Sequence, residues 1–484
     1  GIIAKQAYSN TINIVIGFIA GAVNTIIVLP LAFENSFDNW GLLKLILSFA
    51  LILSPIFGLG VNNIIVKEYH ENEDGRNKNI LGFTLVIALI GTILLSSFIM
   101  TGGLDHFINS RDAILVNENL PALLILSISL TIGQVFSGFI VAKHKTPVIL
   151  FVNETFLKVS YLSISLIYLF FPFPFELFFM LYVSTYALTL LIYLVYSISI
   201  GFNPSYNFKN LSIRSIINYG FYTVLDKGAS IIVANLDLIM IAYLLNLSDV
   251  AIYGLAFFIA AVILIPQKAI MTPSYPLVSK AIKTNKFDDL KKLYKQSSIN
   301  QYLIGGALFV LIWTSIDQIF ELIPTDFSQG KWVVFFIGIS RISMLITGVS
   351  GAIIVFSKYY RINLFFNLFL VALTIITNYF LILRFEMTGA AMATAITFIV
   401  YNLLKTGYIQ IRFHMQPFSI ETVKYTTILI IVGFIGTRID LFDSYPLISI
   451  IAKSAIISVL LIVGFYGLNV KAEILEFPKK LMKR

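Results

Sequence analysis

Residues 147–171, PVILFVNETFLKVSYLSISLIYLFF, are long and apolar enough to cross a bilayer, yet they carry Glu154 and Lys158. A hydrocarbon core of about 30 Å takes about 20 apolar residues of helix. A lone charge at its centre costs about 2.5–3.5 kcal/mol even on lenient insertion scales. Four residues apart on a helix, the two side chains meet on one face and can neutralise each other. The stretch therefore reads as a membrane span with one wet side.

Working outward, comparable apolar runs recur near 8–33, 41–66, 80–104, 120–142, 177–200, 214–245, 251–276, 299–323, 331–356, 363–383, 387–411, 422–437 and 447–470. With 147–171 as span 5, this predicts about 14 transmembrane helices. The chain is 58% hydrophobic and 12% charged, against about 25% charged for an ordinary soluble domain, which excludes a soluble globule. The net charge of +9 falls in short connecting segments, so it speaks of topology and not of a nucleic-acid face. Cysteine is absent, and His70, His106, His144 and His414 lie in or beside loops, so no metal site is expected. The first run is too long for a signal-peptide core and is expected to act as its own insertion signal. The longest connecting segments, 105–119 and 277–298, leave no room for a catalytic domain. A transporter is expected, and not an enzyme. The segment 277–298 reads as an amphipathic lysine-rich helix with Phe287, Leu290, Leu293 and Tyr294 on its apolar side.

If the N-terminus is cytoplasmic, 24 basic residues fall in inner segments and four, Arg111, Lys331, Arg384 and Arg438, in outer ones. The positive-inside rule then puts both termini in the cytoplasm. At an offset of 213 residues, Trp40-Gly41-Leu42 falls on Tyr253-Gly254-Leu255, Lys67 on Lys280, and Asn24 on Asp237. The shift maps spans 1 and 2 onto 7 and 8 in the same orientation, as a duplication of six helices requires. The expected fold is all-α: an N-lobe over 1–202 (helices 1–6), a C-lobe over 203–412 (helices 7–12) around a central cavity, and helices 13–14 with a cytoplasmic tail over 413–484.

Eleven ionisable residues lie inside the spans: Lys44, Glu154, Lys158, Asp226, Lys227, Asp237, Lys268, Asp317, Glu321, Arg341 and Lys453. Lys44, Asp317 and Glu321 sit near span ends, where side chains reach water. Lys158 and Arg341 lie near mid-span, Lys227 can neutralise Asp226, and Lys227, Lys268 and Lys453 are intermediate in depth. Asp237 has no evident cation on its own helix. Polar stripes mark the wet faces: Asn10, Asn13, Gly17, Gly21 and Asn24 on span 1, and Asp226, Ser230 and Asp237 on span 7. Gly17 and Gly21 also have the spacing of a close helix–helix packing motif.

The runs Ala251-Ile252-Tyr253-Gly254-Leu255-Ala256, Tyr275-Pro276-Leu277-Val278-Ser279-Lys280 and Gly389-Ala390-Ala391-Met392-Ala393-Thr394 are similar to those of the Wzx-type oligosaccharide flippases, part of the multidrug/oligosaccharidyl-lipid/polysaccharide exporter superfamily. The resemblance implies an alternating-access flippase in the bacterial inner membrane, moving an undecaprenyl-diphosphate-linked oligosaccharide from the cytoplasmic to the outer leaflet. It implies a cationic cavity, to which Lys158, Arg341, Lys227 and Lys268 would contribute substrate-binding charge. Expected partners are this lipid-linked substrate and membrane lipids, with glycan polymerases or glycosyltransferases as neighbours, no nucleic acid, and a monomer as the simplest state. A related group of peptidoglycan-precursor flippases has a sodium site, and Asp237, Asn378 and Thr394 or Thr397 match its residues. The further carboxylate of that site is Ile382 here, which leaves the coupling ion, sodium or a proton, open. No other cofactor is expected. The rival reading within the superfamily is a cation-coupled multidrug antiporter, which would favour acidic residues for organic cations. Span 1 has no carboxylate and the mid-span cations outnumber the anions, which favours an anionic cargo.

Overall fold

A computed structural model describes residues 2–70, 74–108, 112–209, 211–323, 325–439, 441 and 445–468; the side chains of 2–12, 74, 105, 113, 227, 268, 269 and 272 are not among those described. Regular structure among the described residues is entirely helical. Among the described residues nine helices are long and apolar enough to cross a membrane, and Ser328–Leu345 with Ser350–Phe356, bent by 49°, make a tenth if the pair is one span. The 52-residue helix Ile362–Phe413 is two of the expected spans, because Glu386 (φ 53°, ψ −139°) breaks it. At that break the chain folds back so tightly that a Cβ on Gly389 would sit 2.0 Å from the carbonyl oxygen of Leu381. Only glycine fits there. The helices Ile213–Leu244, Phe287–Thr314 and Ile420–Gly436 occupy spans 7, 9 and 13. The lysine-rich segment is not a separate surface helix, since Phe287–Thr314 runs through it into span 9 with Leu290 and Tyr294 fully buried.

Spans 1 and 5 are each interrupted by a π-helical turn, Asn24–Val28 and Phe151–Phe156. Such turns insert a residue into the helical ladder and recur at functional sites. Both interruptions coincide with a polar residue the sequence marks out, Asn24 in one and Glu154, flanked by Asn153 and Thr155, in the other.

By packing, the chain divides into unit 1, Gly1–Ala251, and unit 2, Ile252–Arg484. Span 7 thus lies with the first six spans, whereas the sequence puts a lobe boundary at 202. The physical reason is close contact with span 2. A Cβ on Gly220 would lie 2.7 Å from the Leu59 carbonyl oxygen, and the amine of Lys67 sits 3.8 Å from the ring centre of Tyr219. In unit 2, helices Ile420–Gly436 and Pro446–Gly467 pack on span 9 through Tyr302, Tyr425, Ile428, Ile457 and Leu461. The expected tail, 469–484, lies outside the described residues.

Candidate functional site

In unit 1 the π turn of span 5 carries the charged pair. Lys158 Nζ lies 2.6 Å from Glu154 Oε2, with 36% of the lysine and 25% of the glutamate side chain exposed. The backbone around the pair is fastened on both sides. Thr155 Oγ1 donates to the Asn13 carbonyl oxygen at 3.1 Å, and the Tyr193 hydroxyl donates to Asn153 Oδ1 at 2.9 Å. Span 1 approaches so closely that a Cβ on Gly17 would stand 1.8 Å from the Glu154 carbonyl oxygen, while one on Gly21 would meet the Lys158 stem at 3.5 Å. Gly17 is therefore a packing residue, and Gly21 leaves room beside the lysine. Asn24, on the second π turn, is buried. Also in unit 1, Asp237 is buried on span 7. The side chains of Lys227 and Lys268 lie outside the described residues.

In unit 2, Arg341 is buried with its guanidinium carbon 4.6 Å from the ring centre of Phe257, a favourable cation–π placement. Its Nη1 points to Met344 Sδ at 3.8 Å. Two residues further along span 10, Ser343 Oγ accepts from Asn402 Nδ2 at 3.1 Å, tying span 12 to span 10. One turn further along span 12 is a residue that the sequence counts among the inner basic residues, near the end of the apolar run 387–411. Lys405 is buried, its amine 4.4 Å from the ring centre of Tyr401, whose hydroxyl donates to Asn367 Oδ1 at 2.8 Å. A Cβ on Gly351 would still be 4.0 Å from the Lys405 amine. The stripe Tyr401, Asn402, Lys405 and Thr406 is the signal that could have found it. Its place near the end of an apolar run hid it.

Of the residues matched to a sodium site, Asp237 lies in unit 1, and Asn378, Thr394 and Thr397 are buried in unit 2. There Thr397 Oγ1 lies 3.1 Å from Thr377 Oγ1, across the hairpin of spans 11 and 12. Ile382, where a carboxylate would strengthen the site, is fully buried. No group of three or more His, Cys, Asp or Glu side chains suited to a metal occurs among the described residues.

The formal charges separate by unit. Among the described residues, the buried ones are Asp112 and Asp237 in unit 1, and Arg341, Lys405 and Lys453 in unit 2. Buried cations on aromatic rings can recognise an anion, the guanidinium in bidentate fashion and the amine as a point charge.

A polytopic helical membrane protein with charges buried at span depth is the class this fold defines. Its architecture is shared with the inward closed conformation of lipid II flippase MurJ, at a TM-score of 0.75 and 12% identity, covering 97% of this chain and 100% of that one. It is also similar to an inward-facing multidrug resistance MATE family transporter of the MOP superfamily, at 0.56 and 13% identity over 82% of this chain and 94% of that one. Residues 4–282 match the family described as polysaccharide biosynthesis protein, and the chain belongs to that family. It is 24% identical over 223 residues to a probable low-salt glycan biosynthesis flippase, Agl15, of Haloferax volcanii, a match spanning 46% of this chain. The chain spans about half the length of that curated relative, 47%.

Proposed function

We propose that the protein is a flippase for lipid-linked oligosaccharides carried on undecaprenyl diphosphate. It moves them from the cytoplasmic to the outer leaflet of a bacterial inner membrane by alternating access, with both of its own termini in the cytoplasm. The observation that supports this best is the set of buried cations in unit 2, Arg341 on Phe257 and Lys405 on Tyr401. A diphosphate stripped of water needs positive partners, and hydrogen bonds to charged groups are the strong ones. Lys158 in unit 1 offers a further amine, and Lys227 and Lys268 complete the proposed cationic set. Family membership and the similarity to a probable glycan flippase support the cargo class. The work is translocation, and no step makes or breaks a bond.

The test is flipping of a labelled lipid-diphosphate oligosaccharide in proteoliposomes. Lys158→Ala and Arg341→Ala should each abolish it in protein that remains folded and inserted. Full activity in both would remove the phosphate site. Export of organic cations in place of the glycan lipid would favour the multidrug antiporter.

For coupling, we propose that Asp237, Asn378, Thr394 and Thr397 serve an ion, sodium or a proton. Asp237→Asn should then erase the dependence of flipping on that ion's gradient; an unchanged dependence would leave Asp237 a structural residue. Charge crossing the field can drive such a cycle, at about 2.3 kcal/mol per elementary charge per 100 mV.

A further inference from the structure

We propose that Glu154 is a built-in stand-in for the substrate phosphate: it holds Lys158 between transport cycles and gives it up when the lipid diphosphate arrives. The inference rests on the anionic-cargo reading above and adds to it a means of release. Both ends of the 2.6 Å pair stay partly exposed, 36% and 25%, so neither is sealed by packing against an incoming group.

The surroundings make the exchange a side-chain event. Thr155 is bonded to Asn13 and Asn153 to Tyr193, and the Glu154 backbone is pressed against Gly17. The main chain is therefore held on both sides of Glu154, and rotation of its carboxylate is the freedom left. Gly21, with no side chain beside the Lys158 stem, lets the amine swing without a backbone shift. The π turn Phe151–Phe156 carries Glu154 while Lys158 sits on the regular helix that follows, so one element is fixed and aims the pair.

The chemistry favours a two-way switch. A diphosphate presents more charge and more acceptor oxygens than one carboxylate and can displace it. Once the cargo has reached the other leaflet, the tethered carboxylate, present at high effective concentration, competes it off. Glu154 thereby lowers affinity and speeds release. It is a positioning residue, acting through Lys158.

The experiment measures binding of undecaprenyl diphosphate, without sugar, and flipping of a labelled glycan-carrying lipid. Both use the full chain in vesicles of phosphatidylethanolamine and phosphatidylglycerol. Glu154→Gln should bind the probe about tenfold more tightly and turn over more slowly, the size expected when a charged competitor is lost. Lys158→Ala should weaken binding, and the double variant should match Lys158→Ala alone. Glu154→Asp keeps the charge on a shorter arm and should fall between wild type and Glu154→Gln in both measurements. That gives an independent reading if the Gln variant folds poorly. Unchanged or weaker probe binding in Glu154→Gln, with binding still lowered in Lys158→Ala, would overturn the stand-in role while leaving the cargo reading intact. A wild-type protein that does not bind the probe would remove the cargo reading and this proposal with it.

Discussion

In unit 1 the mid-span lysine is paired with a carboxylate one turn away on its own helix, and both remain partly exposed. In unit 2, Arg341 and Lys405 are buried against the rings of Phe257 and Tyr401. The first arrangement is local and adjustable, because breaking it needs one side-chain rotation on a firmly held backbone. The second is set by packing between helices. The contrast teaches that a charge inside a span can be held in two ways: by a counter-charge one turn away on its own helix, or by burial against an aromatic ring.

The largest expected effect comes from attacking the firmness of unit 1. Gly17→Val would drive a side chain into the Glu154 carbonyl, and overpacking of this kind costs about 1–3 kcal/mol. The thermal unfolding midpoint in detergent should fall clearly; an unchanged midpoint would mean that span 1 is not seated on the π turn of span 5.

Next, Lys405→Met asks whether this buried cation of unit 2 exists for a ligand. Methionine keeps the apolar stem that packs there while removing the charge. Affinity for undecaprenyl diphosphate should fall about tenfold, as loss of a charge-assisted contact implies. A loss of stability with unchanged binding would make Lys405 a structural residue and erase the contrast between the units.

The smallest effect is expected from Thr155→Val, which removes the hydrogen bond to Asn13. Its loss should cost about 1 kcal/mol, read by chemical or thermal unfolding. Flipping slowed far beyond that change would show that the bond sets the aim of Glu154 as well as its stability.

Much of the fold was legible because apolar length is a property of each segment in isolation. Even the long helix Ile362–Phe413 is legible as two spans, since about 20 apolar residues suffice to cross a bilayer. Part of the candidate site was legible for the same reason. The Glu154–Lys158 contact follows from helical spacing within one segment, and it is present. Gly17 could be read from its spacing either as packing or as part of a wet face. Its distance to the Glu154 backbone decides for packing.

The sequence by itself determined an all-helical membrane protein, the identity of the charges inside its spans, and the pairing available within one helix. Each of these depends on residues a few positions apart and on the hydrophobic thickness of a bilayer. Only the tertiary structure decided that span 7 packs with unit 1, that Lys405 is buried over Tyr401 beside Gly351, and that Arg341 stacks on Phe257. The physical reason is that these outcomes turn on which helix faces meet. Residues far apart along the chain supply those faces, and no local periodicity records the match.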